Sequence, residues 1–301
     1  MNRKAIRGSL LLLLGSVIWG AAFAAQRAGM DYVQPFTFSG VRMLLAGLLL
    51  IPASAITRKK SGAERTPERA REQRTGGILC GLLLFAATSL QQIGLVYTSA
   101  GKAGFITALY VVLVPVAAWL IFRKQPGRVI WAGVGLAVVA LYLLCMPAEG
   151  FRVENGDILL LGCAFCFTGL ILCVDHSAPR VDGFTLARDE FLVTGGLSMI
   201  IALLTEEIRP EGILEAWFPI FYAGAMSGAV GYTLQILGQR NVNPTIASLI
   251  MCLEAVCALL TGVILLGERM TGREAVGCVL MFAAVILAQL STLMKKKGTG
   301  E

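Results

Sequence analysis

Two charged side chains lie deep inside long apolar runs of this chain, Arg42 and Glu254. A charge at the centre of a bilayer costs at least ~2.5–3.5 kcal/mol on insertion scales, so such residues face a cavity, a partner or a ligand. Counting 1.5 Å per residue from helix starts near Gln34 and Pro244 puts Arg42 ~12 Å from one boundary and Glu254 ~15 Å from the other. In a hydrocarbon core of ~30 Å the two stand at nearly the same depth. Depth therefore allows them to pair, and it equally allows one shared site. There Arg42 would take an anionic group, and Glu254 a cationic group or a proton. The plainer alternative is that Arg42 snorkels to the headgroups and Glu254 merely satisfies it.

Neutral and aromatic residues could complete such a site. Gln91 and Gln235 offer donors and acceptors along a path, and Trp19 and Tyr110 offer aromatic walls. Helix packing is the competing role for both aromatics, and an interhelical bond worth ~0.6 kcal/mol is the competing role for the glutamines. Gln92 reads as such a bond. Arg188 and Asp189, with Glu190, open a segment whose clean apolar run, Phe191 to Leu204, is too short to span. They are expected on a wet inner vestibule or at an interfacial turn. Lys102 and His176 sit near helix ends, where interfacial roles are expected. Cys163-x-x-Cys166 has metal or redox spacing, but Leu, Gly, Ala and Phe surround it and no further ligand accompanies it. No catalytic set, metal site or cofactor site is expected.

The elements that must hold these residues are membrane helices. Apolar residues make up 56% before the 34 glycines are counted, and charged residues only 15%, against ~25% charged in soluble domains. The apolar residues fall in ten runs: 8–26, 34–56, 76–97, 101–122, 128–146, 156–175, 184–205, 216–237, 244–266 and 273–293. Arg3, Lys4 and Arg7 before a leucine run imitate a signal peptide. The apolar stretch from Gly8 to Ala25 exceeds the ~7–15 residues of such a segment, so it reads as a retained first helix.

Charge sets the expected orientation. With the N-terminus cytoplasmic, inner segments hold nineteen Lys and Arg and outer segments six, a positive-inside bias. The net charge of +7 thus points to anionic headgroups and not to nucleic acid. Both termini are expected in the cytoplasm, and the protein in the cell (inner) membrane as a multi-pass chain.

The chain also repeats itself. Shifted by 144 residues, Gln91-x-x-Gly94 falls on Gln235-x-x-Gly238, Ala103–Ile106 on Ala247–Ile250, and Gly133 on Gly277; Leu14-Gly15 meets Leu161-Gly162 at 147. Each half then holds five helices, 1–150 and 151–301. Five is odd, so the second half runs through the membrane inverted. The basic loop at 57–75 and its counterpart at 205–215, with Glu206, Glu207, Glu211 and Glu215, carry the opposite charges this requires. The expected fold is an all-α membrane protein of ten transmembrane helices, two inverted five-helix repeats around a central cavity.

Several local patterns, Trp19-Gly20-x-x-Phe23, Arg42, Ala100-Gly-Lys-Ala-Gly-Phe-Ile106, Val114-Pro115-Val116 and Leu265-Leu266-Gly267-Glu268-Arg269, resemble the drug/metabolite transporter superfamily in its EamA-like branch. The resemblance covers about residues 10 to 293. It implies transport of a small metabolite such as an amino acid, nucleoside or drug-like solute by alternating access, with export the expected direction. It implies a small-molecule substrate as partner, and a homodimer is one allowed assembly. A membrane-embedded enzyme or a scaffold is the alternative; the first needs a catalytic cluster, and the second needs no inverted repeat. The chain departs from the family where Glu254 is followed by Ala255 instead of Pro, which removes the residue expected to kink the ninth span.

Cytoplasmic reporters fused after Lys297 or within 57–75 should be active, and reporters within 205–215 silent. A periplasmic C-terminus would remove both the ten-span count and the inversion.

Overall fold

The computed structural model describes residues 3–61, 66–97, 100–123, 125–146, 155–266 and 269–298. The helices of the first half are α1 (Arg3–Gly29), α2 (Pro35–Ser61), α3 (Pro67–Tyr97), α4 (Ala100–Ala108), α5 (Tyr110–Phe122) and α6 (Arg128–Cys145). The second half has α7 (Asn155–Ser177), α8 (Gly183–Thr205), α9 (Pro210–Glu215), α10 (Trp217–Phe221), a π-helical segment Tyr222–Tyr232, α11 (Thr233–Gln239), α12 (Pro244–Met251), α13 (Leu253–Leu266) and α14 (Gly272–Gly298). Among the described residues, nine stretches are long and apolar enough to cross a membrane. α8 is not among them because Arg188, Asp189 and Glu190 lie in its first turns. The Gly267-Glu268 corner, Lys124, Glu64, Arg65 and the junction near residue 150 lie outside the described residues.

Helices dominate for a physical reason. Hydrocarbon offers no partner for a backbone N–H or C=O, so each segment satisfies its own. The outer surface is apolar: Leu10, Leu48, Leu120, Ile158, Leu203, Ile264 and Val279 are all exposed. Between helices, small residues replace bulk and allow close approach. A Cβ on Gly133 would meet the Ala284 carbonyl at 3.2 Å and Ala288 at 3.8 Å, which clasps α6 to α14. A Cβ on Gly277 would meet the Ala140 carbonyl at 3.1 Å and Leu144 at 2.9 Å. These contacts are copies of each other under the 144-residue offset. Gly94 approaches Gly156 and Leu160 at one end of the bundle, as Gly238 approaches Gly8 and Leu12 at another.

Acidic side chains tie the antiparallel pair α2 and α8 at both ends. Glu206 accepts from the Phe36 and Thr37 amides at 2.8 and 2.7 Å and from the Thr37 hydroxyl at 2.7 Å, capping α2. Asp182 caps α8, accepting from the Thr185 amide at 2.8 Å, and also takes the Thr57 hydroxyl of α2 at 3.3 Å. Residues 67–75 of the basic loop extend α3 as an exposed helix.

Three expectations need correction. The stretch 216–237 is not one α-helix, because eleven of its residues are π-helical. The ninth span is interrupted at Cys252 without a proline, as the fourth is at Leu109. Lys102 is not interfacial: its ammonium pairs with Asp157 of α7 at 2.8 Å, with only 6% and 8% of the two side chains exposed. Lys102 stands in the first turns of α4, beside the end of α7 that packs on α3, and there a partner replaces water.

Removing one partner of a buried ion pair costs ~3–5 kcal/mol, whereas an apolar replacement of both can be nearly neutral. Lys102→Met should therefore lower the unfolding midpoint strongly, and Lys102→Met with Asp157→Leu should recover most of the loss. Equal losses in the single and the double variant would contradict this.

Candidate functional site

One cavity gathers all six residues singled out from the sequence: Arg42, Glu254, Trp19, Gln91, Tyr110 and Gln235 line it together. It has about 60 Å³ of space for the centres of water molecules. One water needs ~10–15 Å³ by that measure, so the cavity as it stands holds a few waters. A metabolite needs a more open conformation.

Each wall comes from a different element. Trp19 is held on α1 by donating its indole N–H to the Ser227 carbonyl at 3.1 Å, and its ring meets Tyr232 edge-on at 5.0 Å. Arg42 of α2 is 3% exposed; its guanidinium lies 5.3 Å from the Phe38 ring centre, and its Nε has no hydrogen-bond partner. A cation over an aromatic face is attracted by the ring quadrupole, but that leaves the N–H groups free for a ligand. The Tyr110 hydroxyl donates to Glu254 Oε1 at 3.4 Å. Gln235 donates to Gln239 at 3.0 Å, and Gln239 donates on to the Ile171 carbonyl of α7 at 3.2 Å. Gln92 does not line the cavity and reaches Met30 across helices.

Arg42 and Glu254 share the cavity without pairing: no ion pair joins them among the described contacts. Equal depth put them on one level, but lateral position separates them, α2 lying along α8 and α13 along α1. The cavity thus holds a cation and an anion that do not neutralise each other directly. Such an arrangement can receive a solute with both signs of charge.

Arg188 and Asp189 stand apart from this cavity. They pair with each other at 2.6 Å, about one quarter exposed, and Arg188 also donates to Ser54 at 3.1 Å. Glu190, expected beside them in water, is fully buried. Among the described residues no cluster of His, Cys, Asp and Glu could hold a metal.

The sequence did not single out Gln26, Thr88, Thr107, Phe167, Ser227, Tyr232 or Met251, which also line the cavity. A signal existed for one of them. Phe167 lies 148 positions after Trp19, one beyond the offset of 147 read near the start of each half, so matching places in the two halves both reach the cavity. Tyr110 and Glu254 are themselves 144 apart, as are the Ala108 carbonyl and the Cys252 thiol that contacts it at 3.9 Å.

A many-helix membrane protein with a cavity between its halves, lined by apolar walls and a few polar and charged side chains, has the architecture of a solute transporter. The chain belongs to the EamA-like transporter family, whose model matches residues 6–146 and again 154–290. An uncharacterized transporter of Archaeoglobus fulgidus is 31% identical over 290 residues, covering 95% of this chain and 87% of that protein. An uncharacterized inner membrane transporter of Escherichia coli, YedA, is 25% identical over 91% of this chain and 88% of its own. The S-adenosylmethionine/S-adenosylhomocysteine transporter of Chlamydia muridarum is 25% identical over 86% and 84%. A solved crystal structure at 18% identity shares the fold, with a TM-score of 0.77 over 94% of this chain and 96% of that one. The protein is a multi-pass membrane transporter of the drug/metabolite type.

A neutral hydrogen bond contributes ~0.5–1.5 kcal/mol, and bonds to charged groups up to ~3. Tyr110→Phe removes one hydroxyl and should raise the half-saturating solute concentration less than about a hundredfold, with the protein still folded. A Tyr110→Phe variant as inactive as Arg42→Ala, at equal protein level, would show that the hydroxyl does more than orient Glu254.

Proposed function

We propose that this chain exports a small metabolite carrying both a cationic and an anionic group, by alternating access through the cavity between its halves. The observation that carries this is the enclosure of Arg42 and Glu254 in one cavity without a mutual ion pair. Leaving either charge unneutralised is costly, and a solute bearing both signs would relieve both. Aromatic walls from Trp19, Tyr110, Phe167 and Tyr232 suit an apolar or aromatic moiety of the solute. S-adenosylmethionine, one of the two compounds named for the Chlamydia relative, has an ammonium, a carboxylate and an adenine ring. It is therefore a rational first probe.

Ten spans arranged as two inverted five-helix repeats, 1–150 and 151–301, form the frame of this reading. The two family matches and the glycine contacts that recur between the halves at offsets of 143 to 148 support it. α8, the seventh run, brings the count to ten, and it packs against α2 and α3. Both termini lie in the cytoplasm on the evidence of Lys and Arg placement. The solute is the partner, with no nucleic acid involved, and one chain completes the cavity, so a homodimer would hold two. Catalysis is not part of the reading: the family match and the transporter relatives support transport, and the described cavity lining holds one carboxylate and no histidine.

The test is flux into and out of liposomes containing the purified protein, with labelled S-adenosylmethionine, S-adenosylhomocysteine, amino acids, nucleosides and simple organic cations. Arg42→Ala should abolish flux, and Glu254→Gln should lower it for solutes bearing a cation. Flux no faster than in protein-free liposomes across the whole panel, or wild-type selectivity in a folded Glu254→Gln variant, would overturn the proposal.

A further inference from the structure

Arg42 and Glu190 occupy matching places in the two halves. A Cβ on Gly224 would meet the Arg42 carbonyl oxygen at 2.7 Å and the Leu45 side chain at 3.0 Å. A Cβ on Gly81 would meet the Glu190 carbonyl oxygen at 2.9 Å and the Val193 side chain at 2.6 Å. Glu190 and Val193 follow Arg42 and Leu45 by the same 148 positions. That offset also converts the contact of Gly47 with Leu192 into the contact of Gly195 with Leu44. The two charged residues therefore stand against matching glycines of the two halves, one a guanidinium and the other a carboxylate.

Their side chains differ in surroundings. Arg42 lines the cavity. Glu190 does not; it is 0% exposed, and neither carboxylate oxygen has a hydrogen-bond partner. The titratable groups that face it are the Cys80 thiol of α3, the Cys173 thiol of α7 and the Tyr232 phenol of the π-helical segment. α11 brings no titratable side chain, Arg42 of α2 makes no ion pair with it, and Arg188 is engaged with Asp189. Phe191, the neighbour of Glu190 in sequence, meets Tyr232 edge-on at 5.5 Å, and Tyr232 lines the cavity wall.

We propose that Glu190 is a second solute-facing charge, which enters the cavity when the two halves exchange conformations and there binds a positively charged group. The proposal rests on the alternating-access reading above. If the halves exchange roles, the place now held by Arg42 beside the cavity passes to its counterpart, and the counterpart is a carboxylate. The site would then offer a guanidinium to the solute in one state and a carboxylate in the other. A solute or proton with different affinity for the two states shifts the equilibrium between them. Two positive groups fit this chemistry, a proton and an ammonium of the solute.

The experiment reads accessibility instead of flux. Wild-type protein in liposomes is treated with a water-soluble carbodiimide, which modifies carboxyl groups only where reagent and water reach them. Modified peptides are then quantified by mass spectrometry. Glu254, already on the cavity wall, is the internal reference, and Glu190→Gln shows which signal belongs to residue 190. Glu190 is expected to be modified to within several-fold of Glu254. Protection of Glu190 by excess methylammonium at fixed pH assigns the organic cation, and a fall in the ratio of Glu190 to Glu254 modification on raising the pH, without protection by methylammonium, assigns the proton. A folded protein in which Glu254 is modified and Glu190 is not overturns the proposal. So does modification of Glu190 that neither methylammonium nor pH alters relative to Glu254. Because no flux is measured, failure of the transport assay and failure of this inference are separate results.

Discussion

A charge within the hydrocarbon layer has to face a partner, water or a ligand, and the interior of this molecule is organised around that requirement. Lys102 and Asp157 meet it by pairing across α4 and α7. Arg188 and Asp189 meet it by pairing with each other near the start of α8. Glu206 and Asp182 meet it at helix ends, where unpaired backbone amides and the helix dipole receive a carboxylate. Arg42, Glu254 and Glu190 are left: the first two line one cavity, where Glu254 also accepts from the Tyr110 hydroxyl, and Glu190 is buried away from it. The charges paired with each other or seated at helix ends tie helices together, and two of those without an ion pair line the candidate site.

Duplication constrains the remainder. The glycine contacts are kept in both halves because no larger residue lets the helices approach so closely: Gly133 and Gly277, Gly94 and Gly238, Gly81 and Gly224 each admit a neighbouring backbone or side chain. What the duplication does not preserve is charge. Lys102 has Ile246 as its counterpart, Tyr110 has Glu254, and Arg42 has Glu190. Packing is conserved between the halves while chemistry diverges, which is what a site needs if its two faces are to treat a solute differently.

The helical fold was legible because hydrocarbon imposes one solution on any long apolar run. The site was legible to a useful degree because intramembrane charge is costly enough to be informative by itself: Arg42 and Glu254 were found by hydropathy alone. The structure then placed Trp19, Gln91, Tyr110 and Gln235 around the same space. Other features left no such mark. A π-helical segment depends on how neighbouring helices hold Tyr222–Tyr232 and has no composition of its own beyond its glycines. The burial of Lys102 and of Glu190 depends on what stands beside them, which a linear pattern near a helix end does not contain. Lateral position was the recurring loss, and it explains why equal depth misleadingly permitted an Arg42–Glu254 pair.

The break points show how the two effects combine. The fourth and ninth spans are interrupted at Leu109 and Cys252, and each interruption is followed closely by a cavity residue, Tyr110 and Glu254. Broken helices are tolerated at membrane depth where the irregular backbone lines a cavity or is covered by protein. The Tyr110–Glu254 hydrogen bond and the Ala108–Cys252 contact each join residues 144 positions apart, at matching places of the two halves and beside the cavity. A perfectly symmetric pair there, two tyrosines or two glutamates, would present a solute with the same group from either side. A phenol donating to a carboxylate presents two different groups, so the cavity wall is asymmetric where the two matching segments meet.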